Sequence, residues 1–236
     1  MIRKLILAIT FTLPSFTYAV DMDGIYITAK GGVSKSMDTG VMNYTDSGTT
    51  DYLEDGDLGT GYVFGLSFGK FVTDNLRFEI EATKRTSYEY DVKQINSTYS
   101  FKSDIDTKTL LINGFYDFQP FSMGNTSIKP YLGGGVGISR NDSGNEVEYN
   151  NGSPDGFTTK GVTITQFAYK FSAGTLFSLT EKISVDLNYQ YVNLGGFKGG
   201  TTVLNNGVFD SNLEGPLNGG EIKTQELMVG LQYTFK

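Results

Sequence analysis

Apolar and polar positions alternate with a period of two along most of the chain, as in strands that present two unlike faces. Near the C-terminus, Leu227, Val229, Leu231, Tyr233 and Phe235 share one phase, and Glu226, Met228, Gly230, Gln232 and Thr234 share the other. Around residue 80, Leu76, Phe78, Ile80 and Ala82 alternate with Arg77, Glu79, Glu81, Thr83 and Arg85. The same reading predicts strands over about 25–34, 62–71, 76–86, 107–118, 128–139, 165–177 and 183–192. The C-terminal strand is the eighth. After the N-terminal leader, no segment approaches the ~20 apolar residues of a membrane-crossing helix.

The seven connections alternate in length. The second and third strands are joined by Thr73-Asp74-Asn75, and the sixth and seventh by Thr180-Glu181-Lys182; the fourth-to-fifth link, around 121–127, is somewhat longer. The remaining four, about 35–61, 87–106, 140–164 and 193–223, are long and rich in Gly, Asn, Asp, Ser and Thr, as loops are. In an up-and-down barrel every long connection then falls at one end and both termini at the other. Short periplasmic turns and long outside loops are the outer-membrane pattern. Alternation alone leaves the inward face open: Arg77, Glu79, Glu81 and Arg85 point inward in a membrane barrel and outward in a soluble lipocalin-like carrier. Lipocalins carry a tryptophan on the first strand and this chain has none. The loop asymmetry and the aromatic terminus also favour the membrane.

Composition narrows the function. Arg3 and Lys4, the apolar run 5–13, Pro14 and Thr17-Tyr18-Ala19 predict a secretory signal peptide, 1–19. That leaves 20–236 as one barrel domain. Removal of the leader leaves 17 basic against 26 acidic residues, a net charge of −9 that argues against a nucleic-acid partner. There is no cysteine, so stability must come from something other than disulfides, and barrel closure supplies it by pairing every strand edge.

The terminal strand resembles the closing strand of bacterial outer-membrane barrels, in which a glycine and two late aromatics are read by the barrel-insertion machinery; here these are Gly230, Tyr233 and Phe235. The trailing Lys236 departs from that pattern. Three inner segments extend the resemblance: Tyr62 to Lys70 followed by Asn75 to Glu81; Leu111-Ile112-Asn113-Gly114-Phe115-Tyr116-Asp117-Phe118; and Ile128-Lys129-Pro130-Tyr131-Leu132-Gly133-Gly134-Gly135-Val136-Gly137. Together and in this order they resemble the rickettsial surface-antigen family, the major surface proteins of Anaplasma, Ehrlichia and Wolbachia. That family implies a surface-exposed, immunogenic barrel with variable loops, and adhesin or porin roles. The resemblance covers the barrel strands from about Tyr62 onward and does not extend to the long loops.

The chain contains no histidine, which removes Ser-His and Asp-His catalysis. Glu79 and Glu81 lie on one side of the third strand, but Arg77 and Arg85 share that face, so a charge network is the better reading. Lys30, Arg77, Glu79, Glu81, Arg85, Lys170, Asp186 and Glu226 share the inward phase and are expected to neutralise one another in the lumen. An eight-stranded barrel has room for little besides its own side chains, so no wide pore is expected. The first long loop carries Asp51, Glu54, Asp55 and Asp57 beside Gly56, a cluster that matches no EF-hand loop and reads as a solvated surface in preference to a calcium site. The third and fourth loops carry Tyr149, Asn150, Asn151 and Phe157, then Asn205, Asn206, Phe209 and Asn212, residue types suited to adaptable protein contacts. Gly133 to Gly135 lie within a strand and make no phosphate loop.

The sequence therefore predicts an all-β, eight-stranded antiparallel up-and-down transmembrane β-barrel in a Gram-negative outer membrane. Its loops are expected outside and both termini in the periplasm. The expected role is a surface antigen and adhesin that contacts lipids, the insertion machinery and a host-surface receptor, without cofactor, metal or catalysis. The alternatives are a small porin or passive structural barrel and, less favoured, the soluble periplasmic carrier.

Overall fold

The computed structural model of the chain describes residues 23–54, 56–124 and 126–235. The predicted leader, Asp55 and Lys236 lie outside the described residues. Those described form only strands, in order β1 (Ile25–Ser36), β2 (Met42–Asp46), β3 (Thr49–Leu53), β4 (Thr60–Thr73), β5 (Leu76–Lys93), β6 (Tyr99–Asp117), β7 (Phe121–Met123), β8 (Thr126–Ser143), β9 (Glu146–Asn150), β10 (Ser153–Thr159), β11 (Thr163–Ser178), β12 (Ile183–Lys198), β13 (Thr202–Asn205), β14 (Val208–Asn212) and β15 (Gly215–Thr234). Eight of them close an antiparallel ring, β1-β4-β5-β6-β8-β11-β12-β15. Closure is made by β15 against β1, from Tyr26 opposite Thr234 to Ser36 opposite Thr224.

The two tight turns are set locally by threonine. Thr180 Oγ1 accepts the backbone N–H groups of Lys182 and Ile183 at 3.2 and 3.0 Å, and Thr73 Oγ1 accepts that of Asn75 at 3.2 Å. Such side-chain acceptors replace the ladder bonds that a reversal breaks.

The wall has opposite polarity at its two heights. Near the short turns the outward phase is apolar and exposed, with Leu66 at 67%, Ile112 at 63% and Leu231 at 55%. The inward phase there is charged, with Arg77 at 2%, Glu81 at 0% and Glu226 at 1%. This arrangement suits lipid outside and a neutralised lumen inside. Toward the long connections the order reverses: Asp104, Lys108 and Arg140 are exposed on the outside, while Phe101, Ile105 and Leu194 are buried inside.

Strands therefore run well past the belt, and this corrects two predicted boundaries. The segment 87–106 is chiefly strand, with only 94–98 between β5 and β6. The alternation that ends the predicted strand at residue 86 breaks because a β-bulge shifts the β5–β6 register between Arg85 and Tyr88, with Ser87 at φ 69°. Inward residues are odd-numbered before the bulge (Arg85) and even-numbered after it (Tyr88, Tyr90, Val92). β12 likewise continues beyond residue 192 through irregular pairing at Asn193 and Gly196.

The other long connections contain hairpins where loops were expected. β2–β3, β9–β10 and β13–β14 turn at Ser47-Gly48, Asn151-Gly152 and Asn206-Gly207, each with both φ angles positive, from 48° to 82°. That combination is the type I′ turn that matches strand twist. β9 pairs with β6, β10 with β13 and β13 with β14, so these hairpins form a flap that continues the barrel wall.

Candidate functional site

Inward side chains fill the lumen in layers. Nearest the short turns, the Arg77 guanidinium sits 4.1 and 4.5 Å from the ring centroids of Phe115 and Tyr131, and its Nε donates to Asp117 Oδ1 at 3.0 Å. Glycines make room for the rings: a Cβ on Gly133 would lie 2.2 Å from Phe115. In the next layer Lys170 donates to both Glu81 oxygens at 2.8 and 2.9 Å, and Lys30 donates to Glu81 as well. Lys30 also reaches Glu79 at 3.4 Å, while Ser67 and Asn113 donate to Glu79 at 3.0 and 3.1 Å. One level higher, Arg85 grips Glu226 with Nε at 2.5 Å and Nη2 at 3.1 Å. Ser34, Thr224 and Gln190 complete the shell of Glu226 at 2.7, 2.8 and 2.6 Å.

Seven of the eight residues assigned to the lumen network by their phase thus lie against an opposite charge. Asp186 differs. It accepts the hydroxyl of Tyr131 at 2.6 Å and touches no cation, because that phenol crosses the space left by Gly174 and reaches it. Asp117, the partner of Arg77, is absent from the predicted set although it shares its inward phase with Asn113 and Phe115. Glu79 and Glu81 each accept several hydrogen bonds from these partners. The terminal aromatics Tyr233 and Phe235 pack edge to face at 5.1 Å, and Gly230 faces Thr28 and Lys30.

Above the charges the lumen is closed by an apolar plug. Met42 and Leu53 from the β2–β3 hairpin meet Tyr88, Phe101, Leu194 and Phe197 of the barrel wall, all but Phe101 (6%) at most 1% exposed. Each side chain buried this way contributes roughly 1.5–3 kcal/mol, so the hairpin is held down as part of the fold. The charged layers and the plug together obstruct the lumen at two heights. In the first connection Asp51 accepts from Gln94 at 2.9 Å and Asp57 from the Gly59 N–H at 2.8 Å. Among the described residues no group of three His, Cys, Asp or Glu side chains is arranged to hold a metal.

Of the predicted contact residues in the flap, Phe209 is exposed beside Val208, at 60% and 70%. Tyr149 instead lies 5.3 Å from Lys102, and Phe157 lines a recess beneath the hairpins. A groove of about 650 Å³ lies on the outward apolar belt between Ile27, Leu66, Phe68 and Leu231, where lipid chains would fill it.

Comparison with known proteins agrees with this architecture. The chain is 29% identical to outer membrane protein PagN of Salmonella typhimurium, over 73% of this chain and 75% of that one. It is 26% identical to a candidate adhesin of Rickettsia conorii, over 74% and 68%. Its fold is similar to that of neisserial surface protein A, with TM-score 0.52 and 18% identity over 90% and 98% of the chains. OprG of Pseudomonas aeruginosa gives 0.51 and 16% over 91% and 98%. A model of the outer membrane protein β-barrel domain matches residues 5–235, so this outer-membrane chain belongs to that family.

Proposed function

We propose that the protein is an adhesin whose barrel is the anchor and whose flap, β9–β10 with β13–β14, makes the contact. The observation that carries this reading is the division of labour along the barrel axis. The lumen is occupied by paired charges and an apolar plug, whereas Val208 and Phe209 are exposed on β14, which pairs only with β13 among the described residues. An exposed edge strand with apolar side chains is a surface that invites a partner strand. Two relatives described as candidate adhesins, from Rickettsia conorii and Rickettsia bellii, support the assignment. The plug counts against a porin role.

In this reading the long connections face the outside and both termini the periplasm. The leader 1–19 is removed, and the barrel is inserted by machinery that reads Gly230, Tyr233 and Phe235. The protein is non-catalytic, consistent with the absence of histidine and cysteine. The rickettsial relatives and the motifs of β4, β6 and β8 support a kinship with the rickettsial surface antigens. The test replaces residues 203–211 by a short Gly-Ser turn and measures attachment of expressing bacteria to host cells. Attachment should fall severalfold with surface display unchanged; undiminished attachment would remove the proposal.

A further inference from the structure

A recess of about 370 Å³ opens above the apolar plug, between the β2–β3 hairpin and the flap. That size is near the lower end of small-molecule sites. Its charged lining is entirely acidic: Asp46, Glu146, Glu148 and Asp210, without a lysine or arginine. Aromatic rings form much of the remainder, with Tyr44 and Phe101 edge to face at 5.7 Å and Phe157 beside them.

Glu146 is the informative residue. It is 8% exposed and among the buried acids it lacks the Lys or Arg partner that Glu81, Asp117 and Glu226 each have. Its Oε2 accepts the Tyr90 hydroxyl. The groups packed around it are also anionic or neutral: Tyr90 on β5, Glu148 on its own strand, Asp155 on β10, Asp46 and Tyr44 on β2, and Asp210 on β14. Burial pushes the Glu146 carboxyl up to about 7, and burial with the neighbouring Asp155 and Glu146 does the same to Glu148. A buried carboxylate without a counter-charge costs free energy that a cation would return.

We infer that this recess is a binding site for a protonated amine or guanidinium, held by Glu146, Glu148, Asp46 and Asp210 and faced by the rings of Tyr44 and Phe101. Carboxylates supply the ion pair, and aromatic faces attract the same cation. Two sources present this chemistry: a free small amine, or a lysine or arginine side chain of a protein. The inference is independent of attachment, because the recess could be filled whether or not the flap binds a host cell.

The test uses the full mature chain folded in phosphatidylcholine nanodiscs, titrated calorimetrically at pH 8. The probes are n-butylammonium chloride, a Gly-Ser octapeptide with blocked termini and one central lysine, and 1-butanol as the uncharged control. At least one cationic probe should bind one to one, at least tenfold more tightly than butanol. Glu146→Gln should weaken it at least tenfold, and the exposed-site variant Asp210→Asn severalfold. Binding should also weaken from pH 8 to pH 5.5 as the carboxyls protonate, and E146Q should lose part of that dependence, the rest remaining with Glu148. Binding of the peptide alone assigns the site to a protein side chain, and binding of butylammonium alone assigns it to a free amine. No millimolar binding of either cation, equal binding of butanol, or full affinity in both heat-modifiable, folded variants would overturn the inference.

Discussion

Replacing Glu226 with leucine tests how the lumen is held. Arg85 and Glu226 are both fully buried and joined by two hydrogen bonds, 2.5 and 3.1 Å long. Without the carboxylate, the guanidinium keeps only Thr83 at 2.8 Å and Thr109 at 3.3 Å. Removing one partner of such a pair costs about 3–5 kcal/mol, chiefly through the charge left behind. At about 1.4 kcal/mol per tenfold, the folding equilibrium should fall by a factor of roughly 10² to 10³ or more. Glu226→Gln, which keeps an acceptor for Ser34 and Thr224, should cost less. The double replacement R85L/E226L should recover most of the loss, because neither charge is then stranded. Urea titration in lipid vesicles, read by heat-modifiable gel mobility, measures all three variants in a chain that has no tryptophan. A loss below about 1 kcal/mol in E226L, or a double variant no more stable than E226L, would refute the reasoning.

Three further outcomes follow from the same geometry. Val229→Arg places a cation in the middle of the outward apolar phase of β15 and should cost about 2–4 kcal/mol in lipid vesicles by the same titration, where a solvated face would cost nothing. Gly133→Ala drives a Cβ to 2.2 Å from Phe115 and 2.8 Å from the Gly114 carbonyl, so overpacking should lower stability by about 1–3 kcal/mol, read as a lower urea midpoint. The rim should be pH-sensitive: a carboxyl raised from 4.5 to about 7 on folding binds more protons in the folded state, so its contribution is fully present below pH 4.5 and is lost as pH rises toward 7. That loss amounts to about 3 kcal/mol. Hydrogen-exchange protection factors in 146–159 should therefore fall over that window, and E146Q should reduce the response.

The sequence declared the barrel clearly where one rule governed a whole strand. From Leu76 to Arg85 the alternation needs no other information, and the lumen charges follow from its phase. Where two rules met, the pattern failed. At Thr86 and Ser87 a bulge exchanges inward and outward phases, and above it the polarity of the wall also reverses, so Tyr88, Tyr90 and Val92 read as loop residues while forming a core. Alternation alone does not separate lipid-facing from soluble barrels, and the loop asymmetry and aromatic terminus carry that choice; the wall itself is apolar outside near the short turns and apolar inside above. The hairpins were readable in principle. Asn151-Gly152 and Asn206-Gly207 are strong type I′ signals, but the segments around them are short and polar, and composition suggested loops. Glu146 could not be singled out from sequence: its burial depends on the flap folding over the rim, which no local pattern encodes. Asp186 had the right phase but a competing neighbour, and only the packing of Tyr131 over Gly174 decides between them.

The central claim is a membrane-anchored barrel that presents its hairpins outward, and the absence of native cysteine makes it directly measurable. Single cysteines at Asn151, Asn206, Asp74 and Glu181, treated on intact cells with a membrane-impermeant maleimide, report the side on which each turn lies. The account predicts labelling at Asn151→Cys and Asn206→Cys, and protection of Asp74→Cys and Glu181→Cys until the outer membrane is breached. Labelling of the short turns on intact cells, with the hairpin tips protected, would contradict it.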